Sequence, residues 1–266
     1  MRAMLSEWVK LRRRGMLGAL LAAVAVSVLG TVITIVVAKG HVIHHRGPLG
    51  GSRTTGSLAQ VAGQHGMANA LVSASTLLGL IALGVIAAAV AGEFSGGTLR
   101  NLLVREPRRV RLLLGKFLAL ALAIAGTVVV ATIFSTVAGI LTANDRGINI
   151  HAWATGSGIV DLLVAMGEII FATIGWGALG AILAVLLRSS VVAIVIGLVY
   201  ALAVESILVS LDKGLNSWLP GRLLTAIAAG GNSSAPLFRA SLTICIYALI
   251  AITAVTVLFA KRDVSE

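Results

Sequence analysis

Three acids stand in or beside stretches that otherwise carry no charge: Asp161, Glu168 and Glu205. A carboxylate inside a membrane span can hold a proton, pair with a base or face a hydrated passage, so such acids are functional suspects by default. Asp161 and Glu168 are seven positions apart and share a helical face. Counting roughly 1.5 Å per residue from Arg188 puts Glu168 near the far membrane boundary and Asp161 beyond it. By the same count Glu205 lies roughly two-thirds of the way along its own stretch, with Arg188 far below it and Lys213 about two turns above. The expected environment of Glu205 is therefore a hydrated cavity, and removing its charge is expected to affect cationic cargo. Glu168 and Glu205 form the candidate substrate path.

Other constellations are weaker. In HVIHH, His41 and His45 have the i, i+4 spacing of a metal-holding helix. Gly40 and Gly47 flank them and acids are scarce, so a solvated loop is the preferred reading and no metal is expected. Gly115-Lys116 lacks the upstream glycine and the following hydroxyl of a phosphate-cradling G-x-x-x-x-G-K-[ST] loop. No Ser/His, Asp/Asp or H-E-x-x-H arrangement lies in the apolar stretches, so catalysis is not expected of this chain. The single cysteine, Cys245, excludes an intramolecular disulfide.

The elements that position these residues follow from composition. Of 266 residues, 58% are hydrophobic and 12% charged, and the mean hydropathy is +1.01. A soluble domain carries about 25% charged residues, so this chain has too few for a water-facing surface. It reads as one all-α membrane domain over 1–266. Six apolar runs reach the roughly 20 residues that a bilayer requires: 16–38, 67–92, 117–142, 157–187, 189–211 and 240–260. Fourteen of the 21 bases lie in the terminal and alternate connecting segments on one side of those spans, and seven on the other. The positive-inside rule then puts both termini and residues 93–116 in the cytoplasm. Topology and anionic lipid account for the net charge of +11, and no nucleic-acid partner is needed.

Three flanking segments have character of their own. Residues 1–15 place Leu5, Trp8 and Leu11 on one helical side with Lys10 and Arg12 on the rest, an interfacial amphipathic helix. In GEFSGGTLRNLLVREPRRVRLLLGK, Gly96-Gly97 ends a span, Thr98 is an N-cap and Pro107 a stop. The short helix between them presents Leu99, Leu102 and Leu103, flanked by Arg100 and Arg105, to lipid or to a groove on a soluble partner. Residues 212–239 contain an apolar stretch, 223–229, too brief to span, between Pro220 and Gly230. That suits a re-entrant or interfacial helix pair.

The chain resembles ABC-2-type exporter permeases of the drug-resistance kind. The pieces that carry the resemblance are SEWVKLRRR, GEFSGGTLRNLLVREPRRVRLLLGK, LGAILAVLLRSSVVAIVIGLV, WLPGRLLTAI and the closing KRDV. The resemblance implies six spans, an N-terminal elbow helix at Trp8, Lys10 and Arg12, and a coupling helix from Thr98 to Arg105. Short outer helices before the last span complete the pattern. It implies further that ATP and Mg bind a separate ATPase subunit, that two permeases, alike or different, assemble with two ATPases, and that the site is a bacterial cell membrane. The cargo class would be a drug, lipid or peptide. The rival is a proton-coupled secondary transporter using Glu168 and Glu205, a class that usually carries doubled repeats, which this sequence lacks.

Overall fold

The computed structural model describes residues 14–38, 43–46, 52–55, 58–95, 109–187 and 189–262. The elbow residues Trp8, Lys10 and Arg12 and the coupling residues Thr98 to Arg105 lie outside that set. Among the described residues the elements run α1 (Arg14–Val37), β1 (Ile43–Arg46), β2 (Ser52–Thr55), α2 (Leu58–Ala62), α3 (Gly66–Val72), α4 (Ser75–Ser95) and α5 (Arg109–Asp145). A 3-10 turn (His151–Ala154) precedes α6 (Gly156–Leu187) and α7 (Ser190–Val199). A π-turn (Tyr200–Val204) joins α7 to α8 (Glu205–Leu211), and a second 3-10 turn (Lys213–Ser217) leads to α9 (Pro220–Ala228) and α10 (Leu237–Arg262).

Among the described residues six stretches are long and apolar enough to cross a membrane: Leu17–Val37, Gly66–Gly92, Phe117–Asp145, Gly156–Leu187, Ser190–Leu211 and Leu237–Ala254. They match the sequence expectation to within a few residues at most ends. The second is bent where α3 gives way to α4. There Ser73 Oγ donates to the Ala70 carbonyl and Ser75 Oγ to the Val72 carbonyl, drawing the backbone out of α-helical register.

Helix association inside a membrane depends on close packing, because lipid is as apolar as leucine. α4 packs along α6, and α1 along α5. The α4–α6 seam is made possible by glycines. A Cβ on Gly180 would strike the Leu83 carbonyl, one on Gly177 would meet Ile86 Cδ1, and one on Gly79 would run into the Trp176 ring. Between α1 and α5, Ser27 and Ser135 share a buried hydrogen bond of 3.0 Å. The opposite faces carry exposed apolar side chains, Leu21 and Phe134 among them, as lipid contact requires.

The segment after α1 departs from the loop expected there. Ile43–Arg46 pairs antiparallel with Ser52–Thr55, setting His45 opposite Arg53. His44 and His45 lie on a strand and not on the helix that an i, i+4 pair needs; His41 lies outside the described residues.

Candidate functional site

The site forms where α8, α9 and α6 meet. Ser189 caps α7, its hydroxyl accepting from the Val192 N–H at 3.5 Å. Regular α geometry then yields to a π-turn, and the Glu205 N–H donates to the Tyr200 carbonyl. That i to i+5 bond stacks Tyr200 beneath Glu205 on one face, whereas α geometry would rotate them apart. The Tyr200 hydroxyl faces the Glu205 carboxylate.

α9 approaches this carboxylate with its N-terminus. Pro220 supplies a fixed φ at the first helical turn and lacks the N–H that would otherwise be orphaned there. Leu219, at the N-cap, has no side chain able to accept the next one. Glu205 provides the cap instead: its Oε1 accepts from the Gly221 N–H at 2.7 Å. The positive end of the α9 dipole thus faces an anion from another helix.

The next residue brings a base. Arg222 Nε lies 4.0 Å from Glu205 Oε2, and Arg222 Nη2 donates to Ser206 Oγ at 3.3 Å. Both charged side chains are out of solvent, 4% exposed for Arg222 and 0% for Glu205. Among the described residues Arg222 Nε and Nη1 and Glu205 Oε2 have no hydrogen-bond partner. Burial pushes the Arg222 guanidinium below its usual value, and the Glu205 carboxylate beside it pulls it back up.

Trp176 on α6 closes the site. A Cβ on Gly221 would stand 2.5 Å from Glu205 Oε2 and 2.7 Å from Trp176 Cη2, so only glycine fits between them. Higher on α6, Leu224 fills the space that a side chain at Gly175 would need. α9 is buried at Gly221 to Leu224 and again at Ala226 to Ala228. Trp176 lies roughly 16 Å along α6 from Leu187. α9 is thus a short helix, below spanning length, whose backbone is shielded inside the bundle.

Its other end meets the second acid. Gly230 and Gly231 turn the chain with φ of +76° and +93°. A Cβ on Gly230 would come 3.3 Å from Glu168 Oε2. The two candidate path residues, Glu168 and Glu205, therefore sit at opposite ends of α9, separated by a helix about 13 Å long. Asp161 goes elsewhere. Its carboxylate accepts from Gln64 Nε2 at 2.6 Å and lies 3.0 Å from His65 Nδ1, binding α6 to the link between α2 and α3.

One expectation is corrected here. Glu205 does not stand alone in a water-filled cavity: a base reaches it from seventeen positions further along the chain. Helical reach along the chain considers only Arg188 and Lys213, which flank the span, and Arg222 lies beyond both. The signal was Arg222 itself, a charged residue opening an apolar stretch that had been read as re-entrant. A base carried into the bundle requires an acid, and Glu205 was the in-span acid without a base.

The profile of the DUF2705 family, described as a protein of unknown function, matches residues 49–265. The chain belongs to that family. This DUF2705 member is an integral, multi-pass membrane protein. Among curated proteins none matches it.

Proposed function

We propose that the chain is the permease subunit of an ATP-driven exporter. It moves an amphipathic or hydrophobic molecule outward by alternating access, and a separate ATPase supplies the energy. The observation that carries this reading is α9. A short helix entering the bundle without crossing it, wedged between the two in-span acids, is the plug that a transport path needs on its outer side. A receptor or anchor has no use for it. The resemblance to ABC-2-type permeases supplies the partner: two ATPase chains binding ATP and Mg, engaged by the segment from Thr98 to Arg105, with a second permease beside the first. The membrane would be that of a bacterial cell, with both termini inside and α9 outside.

Glu205 also favours this reading over proton-coupled exchange. A proton carrier must be reached by water from each side in turn, and the Glu205 carboxylate is fully buried against Gly221 and Arg222. Glu168 and Glu205 keep their place as candidates for the cargo path, Glu168 as an acid at the upper end of the plug. Purification of the tagged chain from its native membrane tests the reading. A chain bearing a phosphate-binding loop should accompany it, and Leu102→Asp should release that chain by burying an uncompensated charge in the contact, at a cost of several kcal/mol.

A further inference from the structure

We propose that the Gly221 N–H and the Arg222 guanidinium form an oxyanion site that Glu205 fills in this state. When Glu205 withdraws, the site receives the carboxylate or phosphate of an amphipathic cargo. As a statement about cargo it rests on the permease reading; as a statement about binding it stands alone.

Three features converge. First, a helix N-terminus and a guanidinium one residue apart point at the same carboxylate, the donor set that binds oxyanions generally. Second, Glu205 fills that set poorly. The Gly221 N–H reaches its Oε1 and the Tyr200 hydroxyl faces the carboxylate, but among the described residues Oε2 has no partner, Arg222 Nε stops at 4.0 Å and Nη1 is also unpartnered. A buried pair retained for stability needs close geometry and satisfied hydrogen bonds. This pair leaves Oε2, Nε and Nη1 unsatisfied, so an incoming oxyanion that meets those donors replaces Glu205 at little net loss.

Third, the backbone offers a way for Glu205 to leave. The π-turn Tyr200–Val204 ends at Glu205. Return of that turn to α geometry shifts the register by one residue, rotating the side chain about 100° around the helix without unfolding it. The vacated site has a polar end at Gly221 and Arg222. Trp176 and Leu224 wall it, and Leu223 is buried beside them. An anionic head suits the first set of groups and an apolar body the second.

The test uses the full chain in nanodiscs of neutral lipid, without ATP or any ATPase, with dibromostearate as the probe. Bromine quenches a nearby indole, and Trp176→Phe identifies the contribution of this site. Glu205→Gln keeps the shape but removes the competing charge, and should bind the probe about tenfold more tightly than the parent. Arg222→Gln in that background should abolish the gain. Competition by inorganic phosphate would mean that a free oxyanion suffices. Absence of competition would mean that the apolar body is required. Equal quenching with and without Arg222 overturns the proposal. Should Glu205→Gln not purify, the parent decides at saturating probe: Arg222→Lys should retain quenching and Arg222→Gln lose it, and equal quenching in both is again fatal. Binding here by a chain whose purification from the native membrane yields no ATPase would leave this site standing and remove the permease reading.

Discussion

Glu205 caps a helix to which it does not belong: its Oε1 lies 2.7 Å from the Gly221 N–H at the start of α9. An anion at a helix N-terminus contributes up to about 2 kcal/mol in a partly buried setting. Here it also answers the charge of Arg222, which enters the bundle on the same turn. One carboxylate thus holds the end of the re-entrant helix and makes its arginine tolerable.

Removing one partner of this pair should be far worse than removing both. Arg222→Met leaves the Glu205 carboxylate buried without its base and should destabilise the protein by about 3–5 kcal/mol. Combining it with Glu205→Leu should recover most of that loss, because two apolar side chains replace two buried charges. Reversible unfolding in bicelles of the parent, both single variants and the double variant measures the coupling. Additive losses would mean that the two charges do not interact.

Gly221→Ala tests the packing around the same contact. Its methyl group would overlap both Glu205 Oε2 and Trp176 Cη2, and overpacking of this kind costs about 1–3 kcal/mol. Gly84→Ala is the control, since nothing lies within 4 Å of a Cβ there. Melting temperatures in detergent should fall for the first and hold for the second.

Gly180→Ala addresses the α4–α6 seam. The added methyl group meets the Leu83 backbone carbonyl, which cannot rotate away as a side chain would. A loss of about 1–3 kcal/mol is expected, with the helices pushed apart. An unchanged melting temperature would show that the seam opens without cost.

The topology can be read by chemical labelling. With Cys245 changed to Ala, single cysteines at Ser157 and Ser233 should react with an impermeant thiol reagent added to intact cells. One at Ser189 should not, since it lies between the fourth and fifth spans. The reverse pattern would place α9 at the cytoplasmic side.

Much of the fold was legible because a bilayer leaves few solutions. Charge-free runs of spanning length must be helices, and the runs from 16 to 260 read as such. The wedge at 220–228 was legible as well, from Pro220, Gly230 and the shortness of the apolar stretch between them. What hid the site was distance along the chain. Glu205 and Arg222 are seventeen positions apart on different helices, and periodicity relates only residues of one helix. The π-turn was invisible for another reason: Tyr200–Val204 reads as ordinary apolar helix, and the extra residue appears only when the backbone is traced. Which partner Gly177 and Gly180 of α6 admit depends on helix crossings that sequence does not encode locally.

The central claim, that this chain is driven by ATP hydrolysed on a partner, is tested most directly by reconstituting the protein with whatever co-purifies from its native membrane. ATP hydrolysis and proton movement are then followed in the same sealed vesicles. The account predicts hydrolysis that depends on the chain and falls in Leu102→Asp, with an imposed pH gradient left undissipated. A chain that purifies without any ATPase and collapses the pH gradient through Glu168 or Glu205 would contradict it.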